Sequence, residues 1–289
     1  MRGRAGFVRP WAVLAWALCG GGSVEAQEAP PPVTLPDTEV RFLSSQEGIG
    51  YKLYVSLPPG YEASDEAYPV VYLLDADYSF AIARNIVEHL GDRGHLRRVI
   101  VVGIAYGGPP AYRMNRTRDY TPTHSPTGGY GPEYQTVSGG GPRFRRFIGD
   151  DLIPFVGRTY RTTSERYLVG HSYGGLFATW MALTAPSLFS GFVIVSPSLW
   201  YDSGMIFDVE RATAEARAEL PLRVYMSVGS REINSQHDMV ADLRRMGGIL
   251  DGRGYRGLDL RWEVAPDETH NSIFPRALSN GLRYVLNGT

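Results

Sequence analysis

Cysteine is almost missing: Cys19 is the single one in 289 residues. A disulfide framework within the chain and a cysteine-built zinc site are both excluded. An excess of charge is missing too. Formal net charge is −1, from 29 Lys plus Arg against 30 Asp plus Glu, and no basic run occurs. The electrostatic footprint of a nucleic-acid surface is therefore absent. No apolar run is long enough to cross a hydrocarbon core about 30 Å thick, which excludes stable membrane insertion. No segment recurs at a fixed period. No phosphate-cradling or dinucleotide-binding loop is present, and neither a metal nor an organic cofactor is expected. What is there is an ordinary globular mixture, 43% hydrophobic and 20% charged, with 34 Gly and 20 Pro. That composition excludes disordered, collagenous and coiled-coil chains. A chain of this length buries about three quarters of the surface it exposes unfolded.

The N-terminus reads as an address. Arg2, Arg4 and Arg9 precede a short apolar run, Trp11 to Leu18, and Val24-Glu25-Ala26 ends in a small residue. Residues 1–26 are expected to be a cleaved export signal with cleavage near Ala26, leaving a periplasmic or secreted protein. Leu18 is too large for Cys19 to become a lipoprotein anchor. Removing this segment leaves 26 cationic and 29 acidic residues and no cysteine. Residues 27–37, with Pro30, Pro31, Pro32 and Pro36, read as a proline-rich tether. Residues 38–289 are expected to form a single domain.

Within that domain two patterns alternate. Val40–Ser44 and Tyr51–Leu57 alternate apolar with polar residues, as half-covered antiparallel strands do. Val70–Leu74, Val99–Ile104, Tyr167–Gly170, Phe192–Val195 and Val224–Val228 are short Val- and Ile-rich runs, which suit strands buried on both faces of a mainly parallel sheet. Between them lie helical stripes. Phe80, Ile82, Ile86, Val87 and Leu90 form one, and Met239, Val240, Leu243, Met246 and Leu250 another. A strand at Leu258–Val264 and a helix near Ile273–Leu286 close the chain. The expected fold class is α/β, a mainly parallel central sheet flanked by helices on both faces.

Chemistry centres on Gly170-His171-Ser172-Tyr173-Gly174-Gly175. G-x-S-x-G alone is a weak pattern, but here an apolar strand runs straight into it and an apolar helix, Leu176–Leu183, runs straight out. So tight a strand-to-helix turn strains the serine and requires glycine at 170 and 174, where a Cβ meets neighbouring backbone. The Ser172 hydroxyl is lifted clear of the sheet, and the Tyr173 N–H at the helix start faces a developing oxyanion.

A serine hydroxyl needs a base beside it. In this architecture the order is serine, acid, histidine. His89, His95 and His124 come too early, and His171 has to point away from its neighbour's hydroxyl. His237 falls at the start of a helix, which suits a surface or capping role. His270 leaves the carboxyl end of the last strand, where such folds put site residues. For the acid, Val224–Val228 runs into Gly229-Ser230-Arg231-Glu232, and Glu232 is the best-placed carboxylate. Asp238 and Asp202 are its rivals, Asp267 and Glu268 lie close to His270, and a surface ion pair with Arg231 is the non-catalytic alternative for Glu232. The loop after the third strand, Asp75-Ala76-Asp77-Tyr78, is expected to supply the second oxyanion amide, from Asp77 or else Ala76. The acidic side chains there have to point away or bind substrate hydroxyls.

Residues 106–142 form an unusually long connection, read as a loop insertion. It carries Arg113, Arg116, Arg118, Asp119 and four tyrosines from Tyr112 to Tyr134. Arg118 and Tyr120 are its candidates for binding an anionic or aromatic substrate. A merely polar lid is the alternative. Trp200 and Tyr201 are candidates for another wall of the same pocket, or for core positions.

These residues carry a resemblance. Val71-Tyr72-Leu73-Leu74-Asp75, Arg118-Asp119-Tyr120-Thr121-Pro122, Asp151-Leu152-Ile153-Pro154, the elbow, Ser196-Pro197-Ser198-Leu199-Trp200, Gly229-Ser230-Arg231-Glu232 and His270-Asn271-Ser272 are spread over residues 38–287. Together they resemble the putative esterase family of α/β-hydrolases, in its enterochelin (siderophore) esterase-like branch, related to feruloyl esterases and mycolyltransferases. The resemblance implies a Ser172–His270 pair with Glu232 as acid, an oxyanion amide after the third strand, and two-step acyl transfer on a small-molecule ester. It does not carry over a substrate. Acyl transfer to a sugar or lipid acceptor, and a binding protein that keeps the fold without the chemistry, are the other readings.

Overall fold

The computed structural model describes residues 32–108 and 111–287. The expected export signal at 1–26 and the first part of the expected tether at 27–37 lie outside the described residues. Strands β1 (Thr38–Ser44) and β2 (Gly50–Ser56) pair antiparallel. On β2, Tyr51, Leu53 and Val55 turn inward while the residues between them are only half-buried. The alternation read from the sequence is that of a sheet margin, and β1 leaves Val40 and Phe42 exposed.

The remaining strands are β3 (Tyr68–Leu73), β4 (Ile100–Ala105), β5 (Thr162–His171), β6 (Gly191–Val195), β7 (Arg223–Gly229) and β8 (Asp259–Ala265). They complete an eight-stranded sheet in the order β1-β2-β4-β3-β5-β6-β7-β8. β2 runs antiparallel to β4, and from β4 to β8 every pairing is parallel. Strands β3, β4 and β6 are buried at every residue, which is why they read as continuous apolar runs.

The two-residue side-chain period divides the core between the faces. Val71, Leu73, Val169 and Val193 pack with α1 (Ala76–Gly91) and the C-terminal helix, while Tyr72, Leu168, Phe192 and Met226 pack on the opposite face. That opposite face holds α6 (Tyr173–Thr184), which is buried along almost its whole length.

The connection at 106–142 is not the loop expected from the sequence. It folds into α2 (Ala111–Tyr120), α3 (Pro132–Gln135) and the start of α4 (Gly141–Arg146). The face that α2 buries is Arg116, Thr117, Asp119 and Tyr120, so no apolar stripe announces it. A wide turn at Phe147–Leu152 then leads into α5 (Ile153–Thr159), next to Pro154, which lacks an N–H. The remaining helices are α7 (Tyr201–Ala216), α8 (Met239–Arg253) and α9 (Ile273–Asn287). Asp202, Ser203 and Gly204 are left-handed at the start of α7. The parallel strands bring Asp75, Ser172, Ser196, Glu232 and His270 to one edge of the sheet, the carboxyl edge where α/β folds build sites.

Candidate active site

Ser172 sits between β5 and α6 with φ 61° and ψ −119°. A non-glycine residue held there costs about 1–3 kcal/mol, so the surroundings must impose it. They do so through the backbone. The Ser172 N–H donates to the Val195 carbonyl at 3.0 Å, and its carbonyl accepts from Leu176 (2.9 Å) and Ser198 (3.1 Å). A Cβ at Gly170 would lie 2.1 Å from the Gly174 oxygen. The second backbone clash falls at Gly175, where a Cβ would lie 2.9 Å from both Pro197 Cα and Val195 O. At Gly174, against the sequence reading, the nearest atoms belong to the Asp75 and Leu74 side chains, at 3.2 and 3.5 Å.

On one side of the elbow stands Glu232, 5% exposed. Its Oε2 lies 2.6 Å from His270 Nδ1, and its Oε1 accepts from Ser196 Oγ and from the Gly229 N–H, each at 2.6 Å. Both carboxylate oxygens are engaged, which fixes the plane of the group and the face it offers to the imidazole. With Nδ1 on Glu232, Nε2 is the ring's remaining basic nitrogen. Ser172 and His270 together line two clefts, of about 340 and 460 Å³, and Glu232 lines the larger one.

The rival carboxylates are occupied elsewhere. Asp238 caps α8 through the Ala241 N–H (2.8 Å), Asp202 accepts from Thr123 Oγ1 (2.6 Å), Asp267 pairs with Arg231 (2.9 Å), and Glu268 accepts from Ser272 Oγ (2.5 Å). The Arg231 ion pair considered for Glu232 is thus made by Asp267 instead.

On the other side stands a second buried carboxylate. Asp75 holds Arg116 by two bonds of 2.9 and 3.0 Å, with both side chains buried. Arg116 also donates to the Tyr130 hydroxyl at 2.6 Å and to the His171 carbonyl at 3.4 Å. Tyr112, Tyr120, Tyr130 and Tyr173 present their rings 5.5–5.6 Å from the guanidinium. Burial works against the Arg116 charge, but Asp75 more than offsets it, so the guanidinium titrates well above its ordinary range.

The two oxyanion candidates occupy helix starts. Tyr173 opens α6 and Asp77 lies in the first turn of α1, where N–H groups have no intrahelical acceptor. The Asp77 side chain turns away, accepting N–H bonds from Tyr106 and Gly107 at 2.7 Å and from Gly108 at 3.3 Å. Both acids of that loop are therefore consumed by partners in the 106–142 connection and its approach.

Of the four substrate-binding candidates, Trp200 lines the larger cleft. The other three do not line either cleft at Ser172. Arg118 is folded back on Asp119 at 2.6 and 2.8 Å. Tyr120 is fully buried among Tyr106, Phe144 and Phe177, and Tyr201 is fully buried with its hydroxyl donating to Thr123 O at 3.0 Å. The connection contributes Tyr112, Arg116 and Tyr130 to the smaller cleft instead. A helical reading of 111–120 puts Tyr112 and Arg116 on one face, but the same spacing adds Tyr120, and Tyr130 lies beyond the helix. His237, expected at the surface, stacks on Trp200 with ring centroids 3.8 Å apart and lines the larger cleft. Ser196 was missed, although it stands in the Ser-Pro-Ser-Leu-Trp piece at the end of β6. Among the described residues no three His, Cys, Asp or Glu side chains gather as a metal requires, and no helix is long and apolar enough to cross a membrane.

Comparison with known proteins adds relatives to this geometry. Residues 44–247 match the family model described as "Putative esterase". Over 267 residues the chain is 31% identical to the ferri-bacillibactin esterase BesA of Bacillus subtilis, spanning 88% of this chain and 91% of that one. It is 27% identical over 279 residues to a siderophore enterobactin esterase of Emericella nidulans, spanning 82% and 89%. The solved structure of an IroE-like serine hydrolase from Shewanella oneidensis matches with a TM-score of 0.78 at 30% identity, over 86% of this chain and 80% of that one.

Proposed function

Since the chain belongs to the putative esterase family, in its siderophore-esterase-like branch of α/β-hydrolases, we propose that it is a serine carboxylic-ester hydrolase working through an acyl-enzyme. The observation that carries this reading is the 2.6 Å contact between Glu232 and His270 Nδ1 at a cavity whose wall includes the strained Ser172. Glu232 holds the neutral imidazole with its proton on Nδ1, which leaves Nε2 to take the Ser172 proton. The serine oxygen bonds to the ester carbonyl carbon, and the carbonyl π-electrons move onto oxygen. The Tyr173 and Asp77 amides stabilise that oxyanion. Collapse breaks the bond to the leaving alcohol, which receives the proton from His270. Water then repeats the sequence on the acyl-enzyme, with His270 again as base.

The substrate proposed is an ester-linked siderophore, the class named for BesA and the Emericella enzyme. The smaller cleft offers Tyr112, Tyr130 and Phe274 to such a ligand, and the larger one Trp200 and His237. Residues 1–26 are proposed as an export signal that delivers the enzyme to the compartment where such esters arrive. The test is turnover of a trilactone siderophore in H₂¹⁸O, followed by mass spectrometry. Wild type is expected to release linear acid carrying one ¹⁸O per bond cleaved, and Ser172→Ala to lose turnover by about 10⁶-fold. Turnover surviving in Ser172→Ala contradicts the serine mechanism. Product esterified to an added alcohol, without ¹⁸O, assigns the site to acyl transfer.

A further inference from the structure

Beside the elbow, one polar side chain is engaged at both ends and has no place in the steps above. His171 is the last residue of β5 and the direct neighbour of Ser172; its ring is buried, 7% exposed. Its Nε2 lies 2.8 Å from the backbone carbonyl of His270, and its Nδ1 lies 2.8 Å from the Tyr78 hydroxyl. A carbonyl oxygen only accepts, so Nε2 carries the proton, and Nδ1 accepts from the Tyr78 O–H. Burial, followed by the nearby His270 and Arg116, holds this imidazole well below its ordinary titration range and so in the neutral form. Phe274 packs on both rings, with centroids 5.6 Å from His171 and 5.7 Å from Tyr78.

The loop that carries His270 runs from Ala265 to Ile273 between β8 and α9, and Asp267, Thr269, Asn271 and Ser272 are exposed along it. Main-chain bonds hold it on both sides of the histidine: the Glu268 carbonyl accepts from Arg231 at 3.0 Å and the Thr269 carbonyl from Ile273 at 3.1 Å. At His270 itself, Glu232 engages the ring at one atom and His171 engages the carbonyl. The second contact comes from the residue covalently bonded to Ser172.

We propose that His171, buttressed by Tyr78, is a positioning residue that holds the His270 main chain in register with Ser172. This rests on the serine mechanism proposed above. The brace touches the base through its backbone, so its loss is felt more in the chemical step than in substrate affinity, even though His171 and Tyr78 also line the smaller cleft.

Three variants test it on an ester substrate, with kcat and KM read separately. His171→Leu removes both bonds at similar bulk. His171→Gln keeps an N–H for the His270 carbonyl and an oxygen for Tyr78. Tyr78→Phe deletes only the buttressing hydroxyl. Misplacing a catalytic group by about 1 Å costs on the order of 10²-fold. His171→Leu is therefore expected to lower kcat by about 10- to 100-fold, with a much smaller change in KM, and His171→Gln to restore most of the loss in kcat. Tyr78→Phe is expected to lower kcat about threefold. An unchanged kcat in His171→Leu, or equal losses in the Leu and Gln variants, overturns the proposal. Should His171→Leu fail to fold, an unchanged kcat in Tyr78→Phe overturns it. Ser172→Ala run alongside separates the two claims. Turnover surviving there refutes the serine mechanism, whereas an inactive Ser172→Ala beside an unaffected His171→Leu refutes the brace alone.

Discussion

Two buried carboxylates flank Ser172, and their partners differ. Asp75, after β3, faces the guanidinium of Arg116 across two bonds, in a box of four tyrosine rings. Glu232, after β7, faces the imidazole of His270. Arginine keeps its charge at any working pH, so the Asp75 pair is static and ties α2 to the loop after β3 and to the elbow backbone. Imidazole can take and release a proton, so the same carboxylate chemistry opposite His270 favours a charge that comes and goes. On the mechanism proposed above, burial of an acid beside Ser172 does not by itself mark the catalytic one; the partner's ability to change its charge does.

If that distinction holds, neutralising each acid should damage a different quantity. The largest effect belongs to Glu232→Gln. The Gln oxygen can still accept from Ser196 and Gly229, but its NH₂ faces His270 Nδ1 and drives the ring to the opposite tautomer. Turnover is expected to fall by about 10³- to 10⁴-fold, with the melting temperature nearly unchanged, as steady-state kinetics beside calorimetry would read. Asp75→Asn comes next and inverts the pattern. Asparagine tolerates the left-handed backbone at φ 56° but leaves Arg116 buried without a counter-charge, a loss of about 3–5 kcal/mol of stability. Urea unfolding measures this, and kcat per folded molecule is expected to stay within about tenfold of wild type. A variant of Asp75 that folds normally but loses turnover as Glu232→Gln does would erase the distinction. The smallest effect is Asp238→Ala. Removing the α8 cap is expected to cost about 1 kcal/mol, with kinetic constants unaltered. Should that variant lose more activity than Glu232→Gln, the acid lies on α8 after all.

The two carboxylates also differ in how far the sequence exposes them. Glu232 follows from strand order, because it lies just beyond the end of a continuous apolar strand. That kind of strand is legible from residues alone, since burial on both faces leaves Val and Ile in unbroken runs, as at Val70, Val71, Val101 and Val102. The pairing of Asp75 with Arg116 was not legible, because the helix that brings Arg116 there buries polar groups. Its stabilisation comes from partners distant in sequence, not from an apolar stripe. For the same reason the sequence points to Arg118 and Tyr120, whereas Tyr112, Arg116 and Tyr130 line the smaller cleft. Helix α7 escaped for a different cause: Asp202, Ser203 and Gly204 are all left-handed at its start, and no cap pattern marks such an entry. His171 is expected to point away from its neighbour's hydroxyl, and its ring nitrogens meet Tyr78 and the His270 carbonyl. That it reaches across to the His270 carbonyl depends on a loop 99 residues away, which no local pattern records.

The central claim is that Ser172 Oγ is the atom acylated, with His270 and Glu232 behind it. Labelling the protein with a fluorophosphonate and mapping the adduct by peptide mass spectrometry tests it most directly. The expected result is a single phosphonyl group on the peptide holding Ser172, absent in Ser172→Ala and formed far more slowly in Glu232→Gln. An adduct on any other residue, or an enzyme that turns over esters yet stays unlabelled at Ser172, would contradict it.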